Sequence, residues 1–221
     1  MNIGVLGSGP VGRAVATRLV ELGHVVCLGT RDPAHSADAA IWLAGVGTAR
    51  GARVGPFVDA ARHGALLVNA VSGAGSIAAL KQAGERHLHG KVLLDLANPL
   101  ASPYEDPDGP PTLSVVNTDS LAEQIQRTFP ELLVVKALNM VNVDIMTHPD
   151  RLPEDTTVFV AGDDAEAKAT VADLLRSFGW RSILDLGGIA AARGMEQYRP
   201  LWNALAAAQG TESFNLRVVR A

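Results

Sequence analysis

The sequence predicts an α/β fold, a doubly wound, mostly parallel sheet with a helical C-terminal appendage. Three observations predict it. Short apolar, β-rich runs alternate with helix-patterned runs along most of the chain, and the first of each kind are joined by a turn holding three glycines. After Asp185 no further strand pattern follows, and the chain reads as a helix and a short tail. Alternation of this kind covers both faces of a parallel sheet with helices. At 221 residues, 48% hydrophobic and 19% charged, the chain has the proportions of a globular protein able to bury a proper core. A net charge of −4 provides no basic face and argues against a nucleic-acid partner.

Taken in order, Ile3–Leu6 is an apolar run short enough for a buried strand. A helix is expected over about Val11–Leu22, with Gly23 as its stop. Val25–Leu28 is the second strand, and Cys27 within it is the only cysteine, so no disulfide is expected and a buried thiol is. Leu66–Val71 and Val92–Leu96 read as strands with a helix near Ser76–Arg86 between them, and Leu132–Leu138, Thr156–Ala161 and Ser182–Leu186 complete the apolar runs. Ser120 with Glu123 forms a capping box that opens a helix to about Phe129. Asp163 or Asp164 caps another that runs to about Phe178 and closes at Gly179. The last helix spans about Ala190–Ala208. Its apolar residues Met195, Tyr198, Leu201, Trp202 and Leu205 lie on several faces, so it needs burial under this domain or against a second copy.

The segment 99–119 breaks this rhythm with five prolines (Pro99, Pro103, Pro107, Pro110, Pro111), Gly109 and several acidic residues, and reads as a long loop of unassigned role. The N-terminus carries no basic segment with a small-residue cleavage site, and no apolar stretch approaches the ~20 residues that span a bilayer. A soluble, cytoplasmic protein is expected.

Chemistry enters at Gly7-Ser8-Gly9-Pro10-Val11-Gly12, a match to G-x-G-x-x-G. The pattern is weak alone and strong here, because it leaves a strand, opens a helix and is followed by a second strand within ~30 residues. Gly7 permits the tight turn, Gly9 lets the backbone approach a pyrophosphate, and Gly12 lets the helix pack on the strand. The free N–H groups and the helix dipole attract the diphosphate. The fold is therefore Rossmann-like. Residues 1–188 are expected to form a dinucleotide-binding domain, with 189–221 a helix and tail packed on it. Choice of nucleotide rests on the second strand's tip, Cys27-Leu28-Gly29-Thr30-Arg31, which lacks the acid that holds an NAD ribose. Thr30 and Arg31, with His35 a turn on, suit a 2′-phosphate and so NADP; Asp32 is the competing feature, able to take the ribose if the strand runs longer.

Ile3 to Gly12, Leu22-Gly23-His24 and Gly29-Thr30-Arg31 resemble the F-420-dependent NADP oxidoreductase family. The resemblance continues through Val134 to Asn139, Val160 to Asp164, Asp185-Leu186-Gly187 and Arg193 to Glu196, nearly the whole chain. It implies hydride transfer between NADP(H) and the deazaflavin of coenzyme F-420, in a cleft at the carboxyl ends of the strands, with positioning in place of acid–base catalysis. No catalytic residue is assigned. By position it implies Ser8, Gly9, Pro10 and Val11 on the pyrophosphate and Thr30, Arg31 and His35 on the 2′-phosphate. Val71, Ser72, Gly73, Asn98 and Pro99 would flank the ribose and nicotinamide, and Ala137 and Asn139 would border the ring. The sequence departs from some members in lacking an extra residue in the glycine loop. It also lacks a cluster of Lys or Arg near the cleft for the anionic F-420 tail beyond Lys136, which leaves a flavin-like acceptor or an unidentified small molecule open.

Other readings are weaker. A short-chain dehydrogenase needs Tyr-x-x-x-Lys, and neither Tyr104 nor Tyr198 has it. Imine reductases share a similar first half but append a large helical dimerisation domain. The histidines show no metal-ligand spacing and no metal is expected. A non-enzymatic NADP(H) sensor or docking module would use the same glycine turn without a second substrate pocket. A homodimer is expected to bury the last helix.

Overall fold

The computed structural model describes residues 1–46, 51–101 and 112–220. Residues 102–111 of the loop expected at 99–119, including Pro103, Pro107, Pro110 and Pro111, lie outside the described residues. Eight strands form one sheet: β1 (Asn2–Leu6), β2 (Val25–Thr30), β3 (Ala52–Pro56), β4 (Leu66–Asn69), β5 (Val92–Asp95), β6 (Leu133–Ala137), β7 (Thr157–Ala161) and β8 (Ser182–Asp185). Their spatial order is β3-β2-β1-β4-β5-β6-β7-β8, parallel except that β7 pairs antiparallel with β6. The helices are α1 (Pro10–Glu21), α2 (Ala37–Val46), α3 (Phe57–His63), α4 (Gly73–Ala83), α5 (Leu121–Thr128), α6 (Val143–Thr147), α7 (Ala165–Phe178) and α8 (Ala192–Gln209).

Both faces of the sheet are buried, which is why its strands read as continuous apolar runs. Side chains alternate between two cores. Ile3, Val5, Val26, Leu28, Val68 and Leu94 pack with α1, α2 and α7. Leu6, Cys27, Leu67, Leu93 and Val134 pack with α3, α4 and α5. Capping behaves as expected. Ser120 Oγ accepts the Glu123 N–H at 3.1 Å, Asp164 caps α7 through the Ala167 N–H at 2.7 Å, and Gly179 closes α7 with φ 111°.

Several boundaries differ from expectation. β2 runs to Thr30, two residues beyond Leu28, and β4 stops at Asn69, leaving Ala70 and Val71 in the following turn. The helix expected at Ser76–Arg86 starts at Gly73 and stops at Ala83. Only glycine allows that start, since a Cβ on Gly73 would lie 2.1 Å from the Asn98 carbonyl oxygen. β3, α2, α3 and α6 are additional elements. The last helix buries only part of its apolar surface in this chain: Met195, Tyr198 and Trp202 are buried, whereas Leu201 is 55% exposed. No helix among the described residues is long and apolar enough to cross a membrane.

Candidate functional site

Because β1 connects to β2 on one side and pairs with β4 on the other, the sheet order reverses at β1, and a crevice opens beyond the carboxyl ends of β1, β4 and β5. Open α/β sheets bind ligands at such a switch point. The cleft there measures about 480 Å³; Gly9–Val11, Ala70–Ala74, Leu96–Asn98 and Arg199 line it. The expected Gly9, Pro10, Val11, Val71, Ser72, Gly73 and Asn98 thus converge on one space.

The glycine turn divides its labour as the motif requires. Gly7 holds φ 112°, and a Cβ on Gly12 would lie 1.9 Å from the Gly7 carbonyl oxygen, so α1 can start this close to β1 only without that carbon. Gly9 differs: nothing stands within 4 Å of where its Cβ would be. Gly9 is also the N-cap of α1, with extended φ and ψ of −69° and 179°, no side-chain cap bond, Pro10 at the start of the helix and no acid in the first turn. Open N–H groups, an unopposed helix dipole and free space above them are what a diphosphate needs, so the residues present fit a dinucleotide.

At the tip of β2, Ser8 Oγ donates to Thr30 Oγ1 at 3.2 Å and stands 3.4 Å from Ser36 Oγ. Arg31 is exposed beside this hydroxyl cluster. Asp32 does not extend the strand; its Oδ2 accepts from His35 Nδ1 at 2.8 Å in an exposed turn. β2 runs longer than expected but ends at Thr30, and Asp32 and His35, the competing ribose candidate and the 2′-phosphate candidate, pair with each other just beyond it. Sequence reasoning missed Ser36, whose only signal was its place as the N-terminal cap of α2, accepting the Ala39 N–H at 3.3 Å.

Leu96–Asn98, which follow β5, line the cleft, and the turn that follows β6 packs behind them. Leu138, wholly buried, takes φ 61°, an uncommon conformation for a branched side chain, and turns the chain sharply after Ala137. The turn sets Asn139 against Asn98. Asn98 Nδ2 donates to the Asn139 carbonyl at 2.8 Å, and Asn139 Nδ2 donates to Asn98 Oδ1 and to the Met195 carbonyl, each at 2.9 Å. Asn139 Oδ1 is buried and makes no hydrogen bond. Pro99 is buried beside them, and its carbonyl accepts the Ser114 N–H at 2.7 Å next to a short antiparallel bridge between Leu100 and Leu113. Ala137 is buried within the strand, and neither it nor Asn139 lines the cleft; Leu138 and Asn139 line a separate small pocket with Met195.

Lys136, the one cation expected near the cleft, is fully buried and fully engaged. Its Nζ lies 2.9 Å from Asp95 Oδ2 and 2.8 Å from Glu196 Oε1, and it also donates to the Ala97 carbonyl. Burial alone would depress its pKa, but Asp95 and Glu196 together outweigh that and hold the ammonium above its ordinary range. It cannot reach an anionic substrate tail. The cation that does line the cleft is Arg199 on α8, with its guanidinium 4.4 Å from the centroid of the Trp202 ring.

Comparison with known proteins agrees with this geometry. Residues 2–99 match the family model of the coenzyme F-420-dependent NADP oxidoreductases. A solved structure from Arthrobacter sp. FB24, described as a candidate F-420-dependent NADP reductase, is 48% identical with a TM-score of 0.92, each chain covering 100% of the other. The F-420-dependent NADP reductase of Methanocaldococcus jannaschii is 28% identical over 91% of this chain and 90% of its own. The rat metalloreductase STEAP3 is 32% identical over 88% of this chain, but the match spans only 36% of that protein. The chain belongs to the coenzyme F-420-dependent NADP oxidoreductase family, NADP-dependent oxidoreductases built on a Rossmann-like fold.

Proposed function

We propose that this chain transfers a hydride between NADP(H) and a deazaflavin, coenzyme F-420, or a flavin-like acceptor. The observation that carries the reading is the open, uncapped glycine turn facing a hydroxyl cluster and Arg31, at a strand tip without an acid. The backbone of Gly7, Ser8, Gly9, Pro10, Val11 and Gly12 holds the pyrophosphate, and Ser8, Thr30, Arg31 and His35, with Ser36, hold the 2′-phosphate. Val71, Ser72, Gly73, Asn98 and Pro99 flank the ribose and nicotinamide. The turn at Ala137 presents Asn139, whose unpartnered Oδ1 is an acceptor for the carboxamide N–H. When bound, the nicotinamide would supply a hydride, one proton with two electrons, and the acceptor would take up one further proton from water. No side chain need gain or lose a proton, and the site's work is alignment and exclusion of water.

Residues 1–188 act as the nucleotide-binding domain, with 189–221 packed on it through the contacts of Met195 and Glu196. We also place the protein in the cytoplasm, on the strength of its single buried thiol, and without a nucleic-acid partner, on the strength of its net charge of −4. A homodimer through α8 and the tail is supported by exposed Leu201, Val218 and Val219. The test is a spectrophotometric assay of the purified chain with NADPH or NADH, offering F-420, FMN and FAD separately. NADPH oxidation dependent on F-420 or a flavin supports the proposal. NADPH-induced stabilisation with no turnover on any of these acceptors overturns it in favour of an unidentified small-molecule substrate or a sensor.

A further inference from the structure

Beneath the cleft lies a group of buried charges that neither phosphate recognition nor hydride alignment uses. Asp95 ends β5, Lys136 lies in β6, and Glu196 comes from α8; the first two are wholly buried and the third is 1% exposed. Two carboxylates face one ammonium. Burial pushes the Glu196 carboxyl above its ordinary range against the pull of Lys136 and the Leu121 N–H, and with both carboxylates ionised the group carries one surplus negative charge. It is tied directly to the cleft wall. Asp95 Oδ1 accepts the Ala97 N–H at 3.3 Å and Asn69 Nδ2 at 2.7 Å, while the Ala97 carbonyl accepts from Lys136. Asn69 Oδ1 in turn accepts the Val71 N–H at 3.3 Å. Glu196 also accepts the Leu121 and Ala122 N–H groups at 2.8 and 3.2 Å, capping α5. Both chain segments that wall the cleft after β4 and β5 therefore hang from this charge cluster.

We propose that the Asp95–Lys136–Glu196 triad positions the cleft walls and, through its surplus negative charge, favours the oxidised, cationic nicotinamide over the reduced, neutral one, biasing the bound couple toward hydride donation by NADPH. The inference rests on the NADP reading above. Stability alone gives no reason for the arrangement, because burying an ion triad carries a desolvation cost that apolar packing of the same volume avoids. A unit charge in a poorly screened interior acts at a distance on any ligand whose charge changes by one. The nicotinamide ring is such a ligand. Arg199 also lines the cleft, and its opposing charge is the same in native chain and variant, so a comparison of the two isolates the triad.

The test is binding, not turnover. Dissociation constants for NADP⁺ and for NADPH are measured by calorimetry on the full native chain, on Glu196→Gln and on Asp95→Asn; each substitution removes one negative charge and keeps an acceptor oxygen. The ratio Kd(NADP⁺)/Kd(NADPH) is expected to rise about threefold or more in the variants, chiefly through weaker NADP⁺ binding. A variant that does not fold is replaced by the other. An unchanged ratio in a folded variant that still binds NADPH overturns the proposal, because a triad that only holds the walls in place would weaken both nucleotides alike. Failure of the native chain to bind either nucleotide overturns the NADP reading itself.

Discussion

Replacing Gly9 and Gly12 separately by alanine splits the two duties of the glycine turn. At Gly9 the backbone is already in a region open to alanine, and a methyl would meet nothing within 4 Å. Alanine is a slightly worse N-cap than glycine, and it restricts the unfolded chain, so the two effects nearly cancel to within ~0.5 kcal/mol. For a domain of this length that is a change of about 2 °C in Tm or less. The methyl stands where the diphosphate must approach, and losing one or two charge-assisted N–H bonds is expected to weaken NADPH about 10- to 100-fold. At Gly12 the same methyl would lie 1.9 Å from a carbonyl oxygen, which forces α1 away from β1. Such overpacking against backbone costs about 3 kcal/mol or more, a fall of roughly 6–12 °C. Differential scanning fluorimetry with and without NADPH reads both effects. At a hundredfold excess over Kd the native chain gains ~2.7 kcal/mol, and a hundredfold weaker Gly9→Ala gains only ~0.4 kcal/mol. A Gly9→Ala chain that keeps the full NADPH-induced rise refutes the pyrophosphate assignment, whatever the turnover.

Further perturbations probe other parts. Arg31→Ala is expected to weaken NADPH by ~1–3 kcal/mol and leave NADH nearly unchanged, because Arg31 is exposed and its loss disturbs no packing; equal losses for both nucleotides would sink the 2′-phosphate role. Arg127 holds the Asp119 carboxyl down at about 2 from 3.8, so its stabilisation is present above pH 4 and disappears as pH falls through 2. Asp119→Asn is accordingly expected to be less stable than native at pH 6, with a gap in urea midpoints that closes between pH 4 and 2; a gap independent of pH would show the ion pair to be idle. Burial pushes the Cys27 thiol up, and at 1% exposure it should label with an aromatic disulfide reagent only as the chain unfolds. Rapid stoichiometric labelling of the folded protein would contradict the core placement of β2.

The parts of the fold legible in the sequence were those whose burial is two-sided or whose caps are local. β1, β5 and β7 are mainly apolar runs, and Ser120 with Glu123 or Asp164 with Gly179 mark the ends of their helices. β3 was illegible because it is an edge strand: Arg53 is exposed, and Gly55 and Pro56 follow, residues that weaken a strand pattern and belong at a sheet edge. α2 was illegible for the opposite reason. It is apolar nearly all round, buries only Ala39 and Trp42, and leaves Ile41 70% exposed, so no face repeats at helical period. The early start of α4 at Gly73-Ala74-Gly75 runs against helix propensity, and only the contact with the Asn98 carbonyl explains it.

The candidate site divides along the same line. The glycine turn was legible because its physics is local, three glycines and a helix end. The triad was not, because Asp95 and Lys136 lie 41 residues apart and Glu196 further still, on a helix of mixed polarity. Yet a trace of it stood in the sequence. A lysine is almost never fully buried unless paired, and Lys136 sits among Val134, Val135, Ala137 and Leu138, where the strand pattern leaves no exposed face. Asp95 breaks the run Val92-Leu93-Leu94-Asp95-Leu96 in the same way. Two charges of opposite sign, each at the carboxyl end of a strand buried on both faces, satisfy one another only if those strands are neighbours. β5 and β6 are indeed neighbours, and Asp95 pairs with Lys136 in register. Glu196 of α8 joins that pair 2.8 Å from Lys136 Nζ, and this contact ties α8, whose Arg199 lines the cleft, to the strand ends.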